Sequence, residues 1–244
     1  MNDFASCWRV AATVNGWLTR REAEFLFTAA RSVPGGGTIV EIGSFFGRST
    51  ICLARGSRAG GGAHVHAIDP QLGSPKHTER LGCRDPYPWF LANLERAGIA
   101  DLVTPHKTTS LAAAAAFEGA VDLLFLDGSH EEDDVAADYA AWFPRLRVGG
   151  LVAFHDSWHM RGVRRVTEEL LRAGAPLTRP RLVDTITVCT KSAAAQRHAG
   201  FVRMRAWRGL GGFLRLTCAG TRLASVEELT DRHCGGAGDR DRST

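Results

Sequence analysis

No two of the six cysteines in this 244-residue chain stand at C-x-x-C spacing, which argues against a zinc ribbon or a dithiol redox motif. Cys52 and Cys189 lie within apolar runs and read as small buried hydrophobes. No apolar run approaches the roughly 20 residues that span a bilayer. The opening residues, Met1 to Ser6, carry no basic stretch followed by an apolar core, so no secretory leader is expected and cytoplasmic residence is the default. Dense basic blocks are missing too. Lys and Arg number 30 against 26 Asp and Glu, far from the balance of a dedicated nucleic-acid binder. The late arginines, Arg197, Arg203, Arg205, Arg208, Arg215 and Arg222, read as a solvated face. There is no internal repeat. What remains is the composition of an ordinary globular protein, long enough for one α/β domain with small additions.

Strand and helix signals alternate. Thr19 to Glu22 has capping-box form, and Ala23, Leu26, Phe27 and Ala30 follow at helical spacing. Thr38–Ile42 is a short β-rich run ending at Gly43, and a helix is expected from Ser49. His64–Ile68 is a second strand, closed by Asp69 and Pro70. The irregular stretch 71–85 reads as a lid, with His77, Tyr87 and Trp89 in or beside it. Pro86 opens a helix carrying Trp89, Phe90 and Leu94. Leu102–Thr104 reads as a third strand. Val121–Leu126 is the strongest strand, apolar on both faces. The helix after it places Val135, Tyr139, Trp142 and Leu146 on one face and ends at Gly149-Gly150. Leu151–Phe154 is the next strand, and Val163, Val166 and Leu170 mark another helix. Leu182 to Cys189 and Phe213 to Cys218 are expected to be closing strands. The alternation predicts a Rossmann-like, doubly wound α/β fold with a mostly parallel sheet. Residues 1–18 are set apart as an N-terminal segment and candidate lid, 19–220 as the catalytic domain, and 221–244 as a frayed tail.

In such sheets the ligand lies beyond the carboxyl ends of the strands, which directs attention to the strand-to-helix turns. Gly43-Ser-Phe-Phe-Gly47-Arg48-Ser49 is one residue short of a P-loop and has Arg where that motif has Lys. Phe45 stands where a dinucleotide loop needs its middle glycine and would obstruct a phosphate. Glu41 would repel a pyrophosphate but suits a ligand bearing an ammonium and a sulfonium, as S-adenosylmethionine does. The methionine carboxylate of that cofactor can take the free N–H groups at the next helix start, near Arg48 and Ser49. Asp69 is placed to accept hydrogen bonds from two ribose hydroxyls. The cofactor set read this way is Glu41, Gly43, Ser44, Phe46, Gly47, Ser49 and Asp69, with Thr109 and Ser110 after strand three and Asp127 and His130 after strand four.

The segments Val40–Thr50, Ala67–Pro70, Leu124–His130 and Arg147–Asp156, with Gly16–Glu22 ahead of them, resemble the class I S-adenosylmethionine-dependent methyltransferases grouped with macrolide-sugar O-methyltransferases and cephalosporin-pathway enzymes. The likeness covers about residues 16 to 173. It implies a seven-stranded sheet whose last strand runs antiparallel, and a small-molecule acceptor, often a hydroxyl of a sugar or natural product. It also implies a divalent-cation site, which maps onto Asp127, His155 and Asp156. Members carry an acid where this chain has His155. That change disfavours magnesium and suits manganese, iron or zinc better.

Methyl transfer to an aliphatic hydroxyl needs a base or a Lewis-acidic metal, because that proton is poorly acidic. Asp127, His130, His155, Asp156 and His159 fall at the ends of strands four and five and would supply either. Asp127, His130 and Asp156 are the expected catalytic residues. The expected partner is a small molecule, with self-association left open. Competing readings are a nucleic-acid methyltransferase, which the absence of an Asn-Pro-Pro-Tyr-like tetrapeptide disfavours, a nicotinamide-dependent oxidoreductase, which Phe45 and Glu41 disfavour, and a non-enzymatic binding module.

Overall fold

The structure is a computed structural model that describes residues 3–72 and 85–198. His77, the expected strand Phe213–Cys218, the arginines from Arg203 onward and the tail 221–244 lie outside the described residues. Two helices open the chain, α1 (Phe4–Ala11) and α2 (Arg20–Arg31). The capping box read in the sequence closes α2: the Thr19 side chain accepts from Glu22 N at 3.2 Å, and Glu22 Oε2 accepts from Thr19 N at 2.9 Å. The elements that follow are β1 (Thr38–Ile42), α3 (Arg48–Ala59), β2 (His64–Ile68), α4 (Tyr87–Ala97), β3 (Val103–His106), α5 (Ser110–Ala116), β4 (Val121–Leu126), α6 (Glu132–Trp142), β5 (Leu146–Phe154), α7 (Arg161–Ala173), β6 (Leu177–Val183) and β7 (Ile186–Lys191).

The seven strands form one sheet in the order β3-β2-β1-β4-β5-β7-β6, parallel from β3 to β5. β7 runs antiparallel to both its neighbours. The expected Rossmann-like seven-stranded sheet with an antiparallel last strand is thus the observed one. Chain direction reverses its stepping between β1 and β4, so the crevice at their carboxyl ends is the topological switch point. Ile39, Leu123 and Phe125 of the central strands are fully buried, as continuous apolar central strands require. Leu26, Ile51 and Leu53 from α2 and α3 belong to the same core. The two helices touch backbone to backbone: a Cβ added at Gly56 would fall 2.2 Å from the Phe27 carbonyl oxygen. Cys7, Ala11, Val14 and Leu18 join this core, so the segment before Thr19 packs with α2 and α3. Among the described residues no helix is long and apolar enough to cross a membrane.

Two boundaries differ from the sequence reading. Gly149-Gly150 does not end a helix. α6 stops at Trp142, Leu146 starts β5 rather than continuing the helix face, and the glycines sit where the β4–β5 register slips between Val121 and Leu123. Glycine serves a helix end and a bulge equally well. Leu182–Cys189 is not one strand but a hairpin, broken at Asp184, whose φ of 49° lies in the left-handed region that Asp tolerates.

β2 also carries a pH-sensitive feature away from the crevice. Val65 and Ala67 enter the core, so alternation sends His64 and His66 to the opposite face. There His66 Nδ1 lies 3.0 Å from His106 Nε2, and the rings stack at 5.2 Å. Burial, reinforced by His106 and His64, pushes the His66 pKa down to about 4. The unfolded chain, with an ordinary histidine pKa near ~6.5, therefore binds a proton that the folded chain does not as pH falls from that value toward 4. This contribution to stability is intact above the unfolded pKa and declines as pH falls through that window. Replacing His66 with Gln is expected to flatten this stretch of the stability profile. Urea unfolding at pH 7 and pH 5 checks it, and an equal acid loss in both proteins would refute the assignment.

Candidate active site

β1 delivers the chain into a loop pressed against the end of β4. A Cβ at Gly43 would meet the Asp127 carbonyl oxygen at 2.1 Å, and Gly43 itself has a φ of 87°. Phe45 follows in the left-handed region (φ 45°), and Gly47 caps α3 at φ 90°. The two phenylalanine rings stay in contact, with centroids 4.2 Å apart, but are buried to different extents. Phe46 is buried in the core, and Phe45 stays half-buried beside Trp17, with ring centroids 5.8 Å apart. Phe46 was expected at the cofactor; its side chain is buried in the core, and its carbonyl accepts from Asn93 Nδ2 at 2.9 Å.

Glu41 lies fully buried beneath the loop. Its Oε2 accepts from the Thr50 hydroxyl, and its Oε1 is buried without a hydrogen-bond partner among the described residues. Burial pushes the carboxyl up to about 8, against the hydroxyls of Ser49 and Thr50, which stabilise the charged form. The charges of Asp127 and Asp69 add to the upward shift. A buried carboxylate oxygen with nothing to bind fits a cationic donor arriving from the crevice.

Asp69 clasps the same loop from β2. Its Oδ2 accepts from Phe45 N at 2.8 Å and its Oδ1 from Gln71 N at 2.6 Å. Each oxygen keeps a further lone pair for a ligand. The Ser44 hydroxyl accepts from Gln71 Nε2 at 3.2 Å. Thr109 and Ser110 are engaged locally. Thr109 caps α5 by accepting from Ala112 N at 3.3 Å, and the Ser110 hydroxyl accepts from Trp142 Nε1 at 3.0 Å.

The second cluster gathers at the ends of β4 and β5. Asp156 is its hub, on a left-handed backbone (φ 53°). Its Oδ2 lies 3.3 Å from His130 Nε2 and 3.4 Å from His155 Nδ1, and its Oδ1 lies 3.2 Å from His159 Nε2. His155 is 4% exposed, with Nδ1 2.8 Å from Asp127 and Nε2 3.5 Å from Glu22. These are ion-pair distances whose angles do not make hydrogen bonds, for both ring nitrogens lack a hydrogen-bond partner among the described residues. Burial alone would favour a neutral ring, yet Asp127, Asp156 and Glu22 hold the His155 pKa well above the ordinary value. Burial likewise opposes ionisation of Asp156, but its three imidazole partners keep it well below the carboxylate range. Glu22 is pulled down to about 2 despite its burial, by His155, Thr185 and Thr19. His155 thus lies among the carboxylates of Glu22, Asp127 and Asp156, which favour its charged form. Asp127 is raised by burial, against the attraction of His155. The Asp156 hydrogen bond raises His130.

The cation set expected was Asp127, His155 and Asp156. Among the described residues, ligand atoms of Asp127, His130 and Asp156 all lie within 4.8 Å of one another. His155 Nδ1 lies 2.8 Å from Asp127 and 3.4 Å from Asp156. Two residues of the site escaped the sequence reading. Glu22 was legible as a helix cap but gave no sign of reaching His155, and Gln71 carried no motif at all.

Residues 40–157 match the family model described as a methyltransferase domain. The match runs from β1 to just beyond β5 and takes in both clusters apart from Glu22 and His159. A protein of Sinorhizobium fredii described as uncharacterised is 32% identical over 120 residues, covering 49% of this chain and 13% of that one. A catechol O-methyltransferase of Mycobacterium tuberculosis is 33% identical over 157 residues, 64% of this chain and 60% of that one. The chain thus spans less than two thirds of the length of either relative. Among solved structures, the O-methyltransferase TomG from Streptomyces achromogenes, involved in tomaymycin synthesis and solved in complex with SAM, superposes with a TM-score of 0.55 at 20% identity, over 78% of this chain and 88% of that one. The likeness in structure is one of fold, and the fold is that of the class I methyltransferases.

Proposed function

We propose that this chain, built around the class I methyltransferase domain of residues 40–157, transfers a methyl group from S-adenosylmethionine to a hydroxyl of a small molecule. The observation that carries the reading is the orphaned Glu41 carboxylate under a loop clasped by Asp69, facing an acid–imidazole cluster on the neighbouring strands. The cofactor supplies a methyl group already activated for in-line displacement. The chain's own residues bind and orient. Glu41 receives the ammonium, the N–H groups opening α3 receive the carboxylate, and the spare lone pairs of Asp69 receive ribose hydroxyls. His130, held by Asp156, takes the acceptor's proton. The neighbouring Asp156 carboxylate raises the proton affinity of His130. The names of the M. tuberculosis relative and of TomG, both O-methyltransferases, support a hydroxyl acceptor.

A second reading rests on the convergence of Asp127, His130 and Asp156. Two carboxylates and one imidazole fit a divalent cation, and the nitrogen donor favours manganese, iron or zinc over magnesium. Bound there, a cation would lower the acidity barrier of the acceptor hydroxyl, and His130 would serve as ligand rather than base. Both readings are tested by incubating the chain with methyl-labelled S-adenosylmethionine and a panel of phenols and sugars, with and without chelator. Label transfer that survives chelation supports the imidazole base, and transfer abolished by chelation and restored by manganese supports the cation. Binding of a nicotinamide dinucleotide in place of S-adenosylmethionine, or salt-dependent binding to duplex DNA with no transfer to small molecules, would overturn the proposal.

A further inference from the structure

Gln71 is the residue of the cofactor crevice that neither motif nor spacing picks out. It sits two positions after Asp69 on a left-handed backbone (φ 57°), a conformation that side chains with a Cβ rarely adopt. It is 3% exposed. Two contacts fix its carboxamide: Nε2 lies 3.2 Å from the Ser44 hydroxyl and 3.2 Å from the Phe45 carbonyl oxygen. The Phe45 carbonyl can only accept, so the nitrogen must face the loop and the oxygen must face away from it. That oxygen, Oε1, is buried and has no hydrogen-bond partner among the described residues. Asp69 holds the arrangement by accepting the backbone N–H of Gln71 and of Phe45, the two left-handed residues, one on each of its oxygens. A strained backbone held in place by the half-buried Asp69 carboxylate, ending in a buried, unused acceptor, is costly unless a ligand supplies a donor.

We infer that Gln71 is a cofactor-positioning residue whose side-chain carbonyl accepts a hydrogen bond from one ribose hydroxyl of the adenosyl group, while Asp69 accepts from the other. The inference rests on the proposed cofactor and deepens it. Asp69 has one oxygen tied to each side of the clasp, so its free lone pairs point from a fixed carboxylate. Gln71 supplies a second, independently held acceptor. The same amide ties the loop to the ligand, since its nitrogen grips Ser44 and Phe45 while its oxygen grips the ribose.

The test uses 5′-methylthioadenosine and its 2′-deoxy and 3′-deoxy counterparts as probes, titrated calorimetrically into the wild-type chain, Gln71→Met and Gln71→Glu. Removing a hydroxyl that Gln71 binds is expected to weaken wild-type binding about tenfold, the effect of one lost hydrogen bond of ~1.4 kcal/mol. In Gln71→Met, which keeps length but offers no carbonyl, the penalty for one of the two deoxy probes is expected to fall to within about twofold. The other penalty, belonging to Asp69, is expected to stay. Gln71→Glu retains an acceptor and is expected to keep both penalties. Unchanged ratios in Gln71→Met would overturn the role of Gln71 alone, and no penalty for either deoxy probe in the wild-type chain would overturn the ribose contacts of both Gln71 and Asp69. A wild-type chain that binds none of these nucleosides nor S-adenosylmethionine itself would overturn the proposed function with it.

Discussion

Replacing Asp156 with Asn is expected to lower kcat for methyl transfer by about 10²–10⁴-fold, the usual worth of a positioned acid–base group. Asn keeps the shape of the side chain and tolerates the left-handed backbone that Asp156 adopts (φ 53°), so the fold should survive. What is lost is the charge. Asp156 stands within 3.4 Å of three imidazoles and orients His130 and His159 toward the crevice. Without it, His130 loses both its orientation and the attraction that raises its basicity, and His155 loses one of the carboxylates that favour its charged form. Steady-state kinetics and a thermal melt check the prediction together. The expected pattern is a collapse of kcat with cofactor affinity within a few-fold of wild type and a retained cooperative melt. Wild-type turnover in Asp156→Asn would remove the cluster from the chemistry.

Cofactor affinity is expected to climb about tenfold per pH unit between pH 6 and pH 7.5. The cause is Glu41. In the free chain burial raises its carboxyl to about 8, so at pH 6 it is almost entirely protonated. A ligand ammonium at its orphaned oxygen favours the carboxylate, so binding expels a proton. The bound state then holds fewer protons than the free state below the free-chain pKa, and affinity must rise with pH over that window. The range stops short of pH 8 because the ligand's own α-amino group titrates near ~8. Gln in place of Glu41 can still accept from Thr50 but cannot carry charge. That variant is expected to bind roughly ten- to a hundredfold more weakly at pH 7.5, the loss of a hydrogen bond to a charged group, with little change toward pH 6. Calorimetry in buffers of different ionisation enthalpy reads the released proton directly. A flat wild-type profile, or proton uptake, would place the ammonium elsewhere.

Much of the fold was legible because its strands announce themselves. Thr38–Ile42, His64–Ile68 and Val121–Leu126 are short β-rich runs ended by Gly or Asp, and the observed strands have those same bounds. The crevice followed from the rule that places ligands at the carboxyl ends of parallel strands. What stayed hidden were contacts made only by tertiary packing. Glu22 reads as a helix cap and is one, but both its oxygens are also committed elsewhere. Oε1 accepts from Thr185 N at 2.9 Å and from the Thr185 hydroxyl at 2.6 Å, and Oε2 stands 3.5 Å from His155. No local pattern announces a partner on β5 or in the β6–β7 turn. His155 was read as a ligand because the resembled family's acidic pair maps onto it, and nothing local announced that Glu22, Asp127 and Asp156 would surround it. Phe45 and Phe46 are adjacent and alike in chemistry, and only the left-handed turn at Phe45 decides which one enters the core. Asp184 marks a hairpin within what reads as a single β run, because nothing but its own backbone breaks the alternation.

A crystal structure of the chain with S-adenosylhomocysteine addresses the site most directly. The nucleoside is predicted to lie across the loop from Gly43 to Gly47, with its ammonium on Glu41 Oε1 and its ribose between Asp69 and Gln71, leaving Asp127, His130 and Asp156 to face the sulfur. A crevice closed at Glu41, or an adenosyl group bound with its ribose away from Asp69, would contradict it.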